Sequence, residues 1–105
     1  MSNNVEMVKA FLKAQNMEQV GRMDEAISLY EGTVEGGFDS TGPYDRLIAL
    51  HSSAARHADV IRIAEAALVN VHTYPDKKAW YERIRHEALK AQETAVPRAT
   101  PKPRE

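Results

Sequence analysis

The sequence predicts an all-α protein of five antiparallel helices. Apolar residues recur every three or four positions through most of the chain, which is the spacing of one helix face. No segment alternates apolar and polar residues as a half-buried strand would. Glycine and proline separate the periodic stretches. At 105 residues the chain has room for one domain, which we place at residues 3–93, followed by a flexible proline-containing basic tail at 94–105.

The first two helices are predicted on either side of a glycine. The first spans about 3–20, and its apolar face consists of Met7, Phe11, Ala14 and Met17. Gly21 ends it, because glycine adopts the left-handed conformation common just past a helix end. The second helix spans about 24–35, and glycines at 36 and 37 end it.

Three more helices follow the double glycine. The third has Pro43 in its first turn, ends near residue 55 and carries the apolar face Tyr44, Leu47, Ile48 and His51. A fourth spans about 59–71, with an apolar face broad enough to be buried on more than one side. The fifth follows a capping-box-like Thr73, has a proline at 75 in its first turn, and extends to about 91 with an apolar stripe at Trp80, Ile84 and Ala88.

The first two helix pairs repeat at one fixed offset in the sequence. Residues of like type lie 34 positions apart at Ala14 and Ile48, Glu25 and Asp59, Ile27 and Ile61, Glu31 and Glu65, and Val34 and Leu68. Tetratricopeptide arrays, which are built from stacked helix pairs, have a period of about 34 residues. The spacing therefore predicts two equivalent units.

Residue types at key positions of the first unit also fit closely packed helix pairs of this kind. Gly21 lies at the predicted turn, and the small Ala14 and Ala26 allow close helix approach. Tyr30 is the aromatic residue that fills the gap toward the next unit. In these positions the chain resembles the tetratricopeptide repeat (TPR) family. Over residues 7–91, the resemblance implies two TPR-like helix-turn-helix units and a C-terminal capping helix, arranged as a right-handed superhelix.

The second unit departs from the family pattern. Tyr44, Leu47 and Ala67 agree with it, but Ala55 occupies the place of the turn glycine and Ala64 that of the aromatic residue. We therefore expect helix packing, and hence groove geometry, to differ from the family's.

The resemblance also implies a function in protein binding. In such arrays the first helices of successive units line a concave groove that holds a peptide or a partner helix. The matching outward positions that we predict to bind a partner are Phe11, Leu12, Gln15, Gln19, Asp45, Arg46, Tyr81 and Arg85. Exposed aromatic residues beside arginine and glutamine fit a recognition surface. The alternative is that the fifth helix packs back and buries the aromatic residues.

No residue pattern predicts catalysis or a cofactor. The chain lacks cysteine, its four histidines have no metal-ligand spacing, and no glycine-rich phosphate loop or nucleophile elbow occurs. His51 is expected to be a packing residue. We therefore predict a non-enzymatic adaptor or complex subunit without cofactor or metal. The sequence does not identify the protein partner.

Location is predicted from the absence of targeting segments. The first residues lack the apolar stretch of a secretory signal, and no run approaches the roughly 18 apolar residues of a membrane span. A soluble, cytoplasmic protein is expected.

Charge is distributed unevenly and allows two other functions. Residues 1–40 hold three Lys or Arg and seven Asp or Glu, a net −4, whereas residues 74–105 hold eight and five, a net +3. The alternative function is therefore self-assembly into a homo-oligomer, with the acidic start of one molecule against the basic end of another. Nucleic-acid binding is disfavoured, because acidic residues interleave with the basic ones of the fifth helix.

Overall fold

Residues 4–99 of this computed structural model form five α-helices. They are α1 (Asn4–Gln19), α2 (Met23–Glu35), α3 (Thr41–Ser53), α4 (His57–Asn70) and α5 (Lys77–Ala99). None of the residues in that span lies in a β-strand. The all-α class and the number of helices are confirmed, and the first four helices begin and end within three residues of their predicted bounds.

The fifth helix is longer than predicted. It continues to Ala99, so the expected end at residue 91 is wrong, and the first six residues of the predicted tail are helical. The stretch 88–95 consists mostly of strong helix formers, which favour continuation of the helix beyond residue 91. Thr94 Oγ1 also donates to the Lys90 carbonyl oxygen at 2.9 Å. The rest of that tail, 100–105, lies outside the described residues, as do residues 1–3.

Each helix packs against the next one along the chain, and α2 also contacts α4. The buried interior contains three tyrosines, Tyr30, Tyr44 and Tyr81, together with the aliphatic residues between the helices. Ala14 and Ala26 are fully buried, so small side chains occupy the contact between α1 and α2. None of the described helices is both long and apolar enough to span a bilayer.

The two α-hairpin turns follow the same backbone path and lie one repeat apart in the sequence. Gly21 has φ = 85°, and Ala55, the only described non-glycine residue with positive φ, has φ = 58°. The next residue donates back to the helix in both turns: Arg22 N to Met17 O at 2.8 Å, and Arg56 N to His51 O at 2.9 Å. The sequence repeat is thus accompanied by a repeat of turn geometry, although only the first turn has glycine.

We predict opposite effects on stability from exchanging these two turn residues. Ala55→Gly should raise the free energy of unfolding by about 0.5–1 kcal/mol, because it removes the left-handed strain of alanine. Gly21→Ala should lower it by about 1 kcal/mol, because alanine is strained at positive φ. Steric clashes add nothing, since a Cβ at this position would have no atom within 4 Å. Urea unfolding of the two variants measures both. Changes of the same sign would show that the turns are not equivalent.

Candidate partner-binding surface

A carboxylate of α1 joins the first three helices. Glu18 Oε1 accepts a hydrogen bond from the Tyr30 hydroxyl of α2 at 2.7 Å. Arg46 of α3 donates to the same oxygen through Nε at 3.2 Å, and through Nη2 to Oε2. Because the guanidinium lies side-on to the carboxylate, this contact fixes the position of α3 relative to α1.

A carboxylate of α3 joins that helix to α5 in a similar way. Asp45 Oδ1 accepts from the Tyr81 hydroxyl at 2.8 Å, and Oδ2 accepts from Lys77 Nζ at 3.1 Å. The Lys77 ammonium also lies 3.8 Å from the ring centroid of Trp80, which packs edge-on against Tyr81. Both contacts thus combine a carboxylate, a buried tyrosine hydroxyl and a cation.

The ionisation of these groups is shifted by their contacts. The hydrogen bond from Arg46 lowers the pKa of Glu18, and the bond from Tyr30 adds to this effect. Burial raises the pKa of Tyr30 to about 12, and the neighbouring Glu18 carboxylate contributes to that rise. Burial followed by the Asp45 contact also raises the pKa of Tyr81. At neutral pH the carboxylate of Glu18 is therefore ionised, and both tyrosines keep their protons.

An open groove lies above the first of these contacts. It encloses about 270 Å³, and its lining residues are Gln15, Glu18, Gln19, Met23, Tyr30 and Arg46. We call it the α1–α3 groove. Glu18 and Arg46 neutralise each other there, whereas the Gln15 and Gln19 amides are exposed. The groove therefore offers uncharged amide groups for hydrogen bonding, and the Glu18–Arg46 ion pair forms its floor.

An exposed stripe on α1 leads into this groove. Its members, at intervals of three and four residues, are Val5, Val8, Leu12, Gln15 and Gln19. The three apolar members are 61%, 42% and 51% exposed in that order. Residues at these intervals lie on one face of a helix. We call this surface the α1 stripe: its first half is apolar and its second half carries amides.

The structure brings together four of the eight predicted binding residues. Gln15, Gln19 and Arg46 line the α1–α3 groove, and Leu12 lies next to it on the α1 stripe. Phe11 is half-buried rather than open: its ring packs 5.9 Å from that of Tyr30. A Cβ on Gly42 would lie 2.5 Å from Phe11 Cζ, so glycine at the start of α3 makes room for this ring.

The other predicted residues have contacts within the protein. Tyr81 is only 1% exposed, so its expected exposure is wrong, and the alternative that α5 packs back holds for this residue. Its partner Asp45 is half-buried. Arg85 lies toward α4, where Nη1 is 3.6 Å from Glu65 Oε2.

Sequence reasoning missed several residues of this surface. Glu18, Met23 and Tyr30 line the groove, and Val5 and Val8 extend the stripe. The heptad-like spacing of Val5, Val8 and Leu12 was visible in the sequence. In contrast, no local pattern pairs Glu18 with Arg46 across 28 positions.

His51 belongs to a different polar cluster, between α2, α3 and α4. Arg56 Nε donates to His51 Nδ1 at 2.9 Å, which leaves Nε2 to donate to Glu31 Oε2 at 3.3 Å. Arg62 donates to both Glu31 oxygens, at 2.9 and 2.8 Å. The imidazole is thus occupied by structural hydrogen bonds. No group of three His, Asp or Glu suited to a metal ion occurs within the described chain.

Comparison with known proteins identifies no relative: no family model, no curated protein and no solved structure matches the chain.

We predict that Glu18→Gln removes a pH-dependent contribution to stability. Since the folded-state pKa of Glu18 lies below its ordinary value of 4.5, the contribution is present above that pH and disappears as pH falls through the lowered pKa. The variant should be about 1 kcal/mol less stable at pH 7, a value reduced for the exposure of Arg46, and should approach wild type in acid.

Urea unfolding at several pH values measures this difference. Glu35→Gln, at an exposed position of α2, is the control and should match wild type at pH 7. A constant difference between Glu18→Gln and wild type from pH 7 to pH 3 would contradict the assigned contact.

Proposed function

We propose that this protein is a non-enzymatic interaction module that binds a helix or peptide of another protein along the α1 stripe and into the α1–α3 groove. The resemblance to tetratricopeptide repeats supports the proposal, because helices at the places of α1, α3 and α5 line the binding face in that family. An adaptor or complex subunit is the corresponding role.

The spacing of the α1 stripe carries the proposal. Five exposed residues at intervals of three, four, three and four form a seam on which a second helix can pack. Burial of Val5, Val8 and Leu12 by a partner would contribute about 1 kcal/mol each, given their partial exposure. None of these three side chains belongs to the hydrophobic core or to the partly buried residues packed against it within the described chain.

The groove supplies the polar end of the same surface. The Gln15 and Gln19 amides can donate to and accept from a peptide backbone or polar side chains. Because Arg46 is held by Glu18, it offers a fixed surface rather than a free charge. A suitable partner therefore has apolar residues at helical spacing followed by an uncharged polar segment.

We expect Leu12→Asp to abolish partner capture without unfolding the protein. The substitution places a charge in the middle of the apolar half, where it would have to be buried without a counter-ion. The measurement is affinity capture with the tagged full chain, followed by partner identification and by isothermal titration with the purified partner. Melting temperature is recorded for every variant.

Val69→Asp is the matched control. Val69 is 68% exposed on α4, so the same chemical change occurs away from the α1 stripe. Capture by wild type and Val69→Asp but not by Leu12→Asp supports the proposal. Equal capture by all three would show that partners bind elsewhere.

A further inference from the structure

A second cleft lies between α1 and α2, on another side of α1. It encloses about 190 Å³ and is lined by Lys13, Met17, Glu25, Ser28 and Leu29. We call it the α1–α2 cleft. Successive helix residues are about 100° apart, so Lys13 faces well away from the α1 stripe residue Leu12. All five lining residues belong to these two helices.

The cleft has an internal counterpart one repeat later in the chain. The residues 34 positions after its five lining residues are Leu47, His51, Asp59, Arg62 and Ile63. These residues belong to α3 and α4, which have the same relation to each other as α1 and α2 and are joined by the same turn. The surface between α3 and α4 in the second unit is therefore equivalent to the α1–α2 cleft in the first.

Helix α2 covers that surface. It contacts both α3 and α4, and Leu47 and Ile63 are completely buried. Glu31 of α2 accepts hydrogen bonds from two of the counterpart residues, His51 and Arg62. In the second unit, the groove between paired helices is thus filled by one amphipathic helix with a carboxylate.

In the first unit the same groove is open. Met17 and Leu29 are half-buried, and Lys13, Glu25 and Ser28 are exposed. Leu29 and Met17 therefore keep apolar surface in contact with solvent where Ile63 and His51 are covered. Within the described residues, no third helix lines this cleft.

We propose that the α1–α2 cleft is a second docking site, occupied by an amphipathic helix of another protein in the position that α2 takes on α3 and α4. This site lies beyond the proposed peptide-binding surface and uses none of its residues. A single helix suffices, because one helix, α2, fills the equivalent groove.

Differences between the two units define the chemistry of the incoming helix. Glu25 pairs with Arg22 at 2.6 Å, whereas Lys13 forms no ion pair within the described residues. The incoming helix should therefore carry an acidic residue opposite Lys13. Because Met17 and Ser28 replace His51 and Arg62, it should carry an apolar residue where α2 has Glu31.

Selection from a displayed library of helical peptides tests this proposal with the whole 105-residue chain. We expect enriched peptides with apolar residues three and four positions apart and an acidic residue beside them. Binding, measured by fluorescence anisotropy of the synthetic peptides, should fall at least tenfold in Ser28→Trp, which fills the cleft from an exposed position. Lys13→Glu should reverse the preference from acidic to basic peptides.

Leu12→Asp separates the two proposed sites, since it alters the α1 stripe and should leave these peptides bound. Peptides that lose affinity for Leu12→Asp but not for Ser28→Trp bind the α1 stripe. If the selection recovers only such peptides, the proposal of a second docking site is wrong. Failure to enrich any peptide sensitive to Ser28→Trp also overturns it. Sedimentation equilibrium identifies a second copy as the occupant: a dimer that dissociates in Ser28→Trp would overturn docking of another protein.

Discussion

Two neighbouring side chains of α3, Asp45 and Arg46, connect this helix to α5 on one side and to α1 on the other. Each contact includes a carboxylate that accepts a hydrogen bond from a buried tyrosine hydroxyl. Asp45 accepts from Tyr81, and Glu18, the partner of Arg46, accepts from Tyr30. A buried hydroxyl left without an acceptor costs about 1–3 kcal/mol. A shift of α1 or α5 relative to α3 would therefore lose both a hydrogen bond from a tyrosine hydroxyl and an ion pair. These polar contacts specify the positions of helices that apolar packing alone would hold less selectively.

The same contacts determine which parts of the surface are available to a partner. Because Glu18 and Arg46 satisfy each other, the α1–α3 groove has a neutral base and exposed amides. Asp45 is likewise used internally. Among the described residues, the first unit also presents two partly apolar open surfaces, the α1 stripe and the α1–α2 cleft. The two docking sites that we propose lie on one helix pair, so a protein with both would bring two partner segments together.

The sequence was sufficient for the local part of this structure. Helical periodicity located five helices, and the shift by one repeat related Gly21 to Ala55, whose backbones both have positive φ. Gln15, Gln19 and Arg46 were predicted as partner-binding residues, and all three line the α1–α3 groove. Tyr81 was misplaced because periodicity shows that α5 has an apolar side but not how far the helix rotates toward Asp45. Glu18 was missed because its partner Arg46 is distant in the sequence, and only tertiary packing brings them together.

A double-mutant cycle between Asp45 and Tyr81 is the most direct test of this account. Unfolding free energies of wild type, Asp45→Ala, Tyr81→Phe and the double variant give the interaction energy between the two side chains. A carboxylate that holds the buried hydroxyl of α5 predicts a coupling of about 1–2 kcal/mol at neutral pH. A coupling within error of zero would contradict it, because the hydrogen bond from the Tyr81 hydroxyl would then contribute nothing to the position of α5.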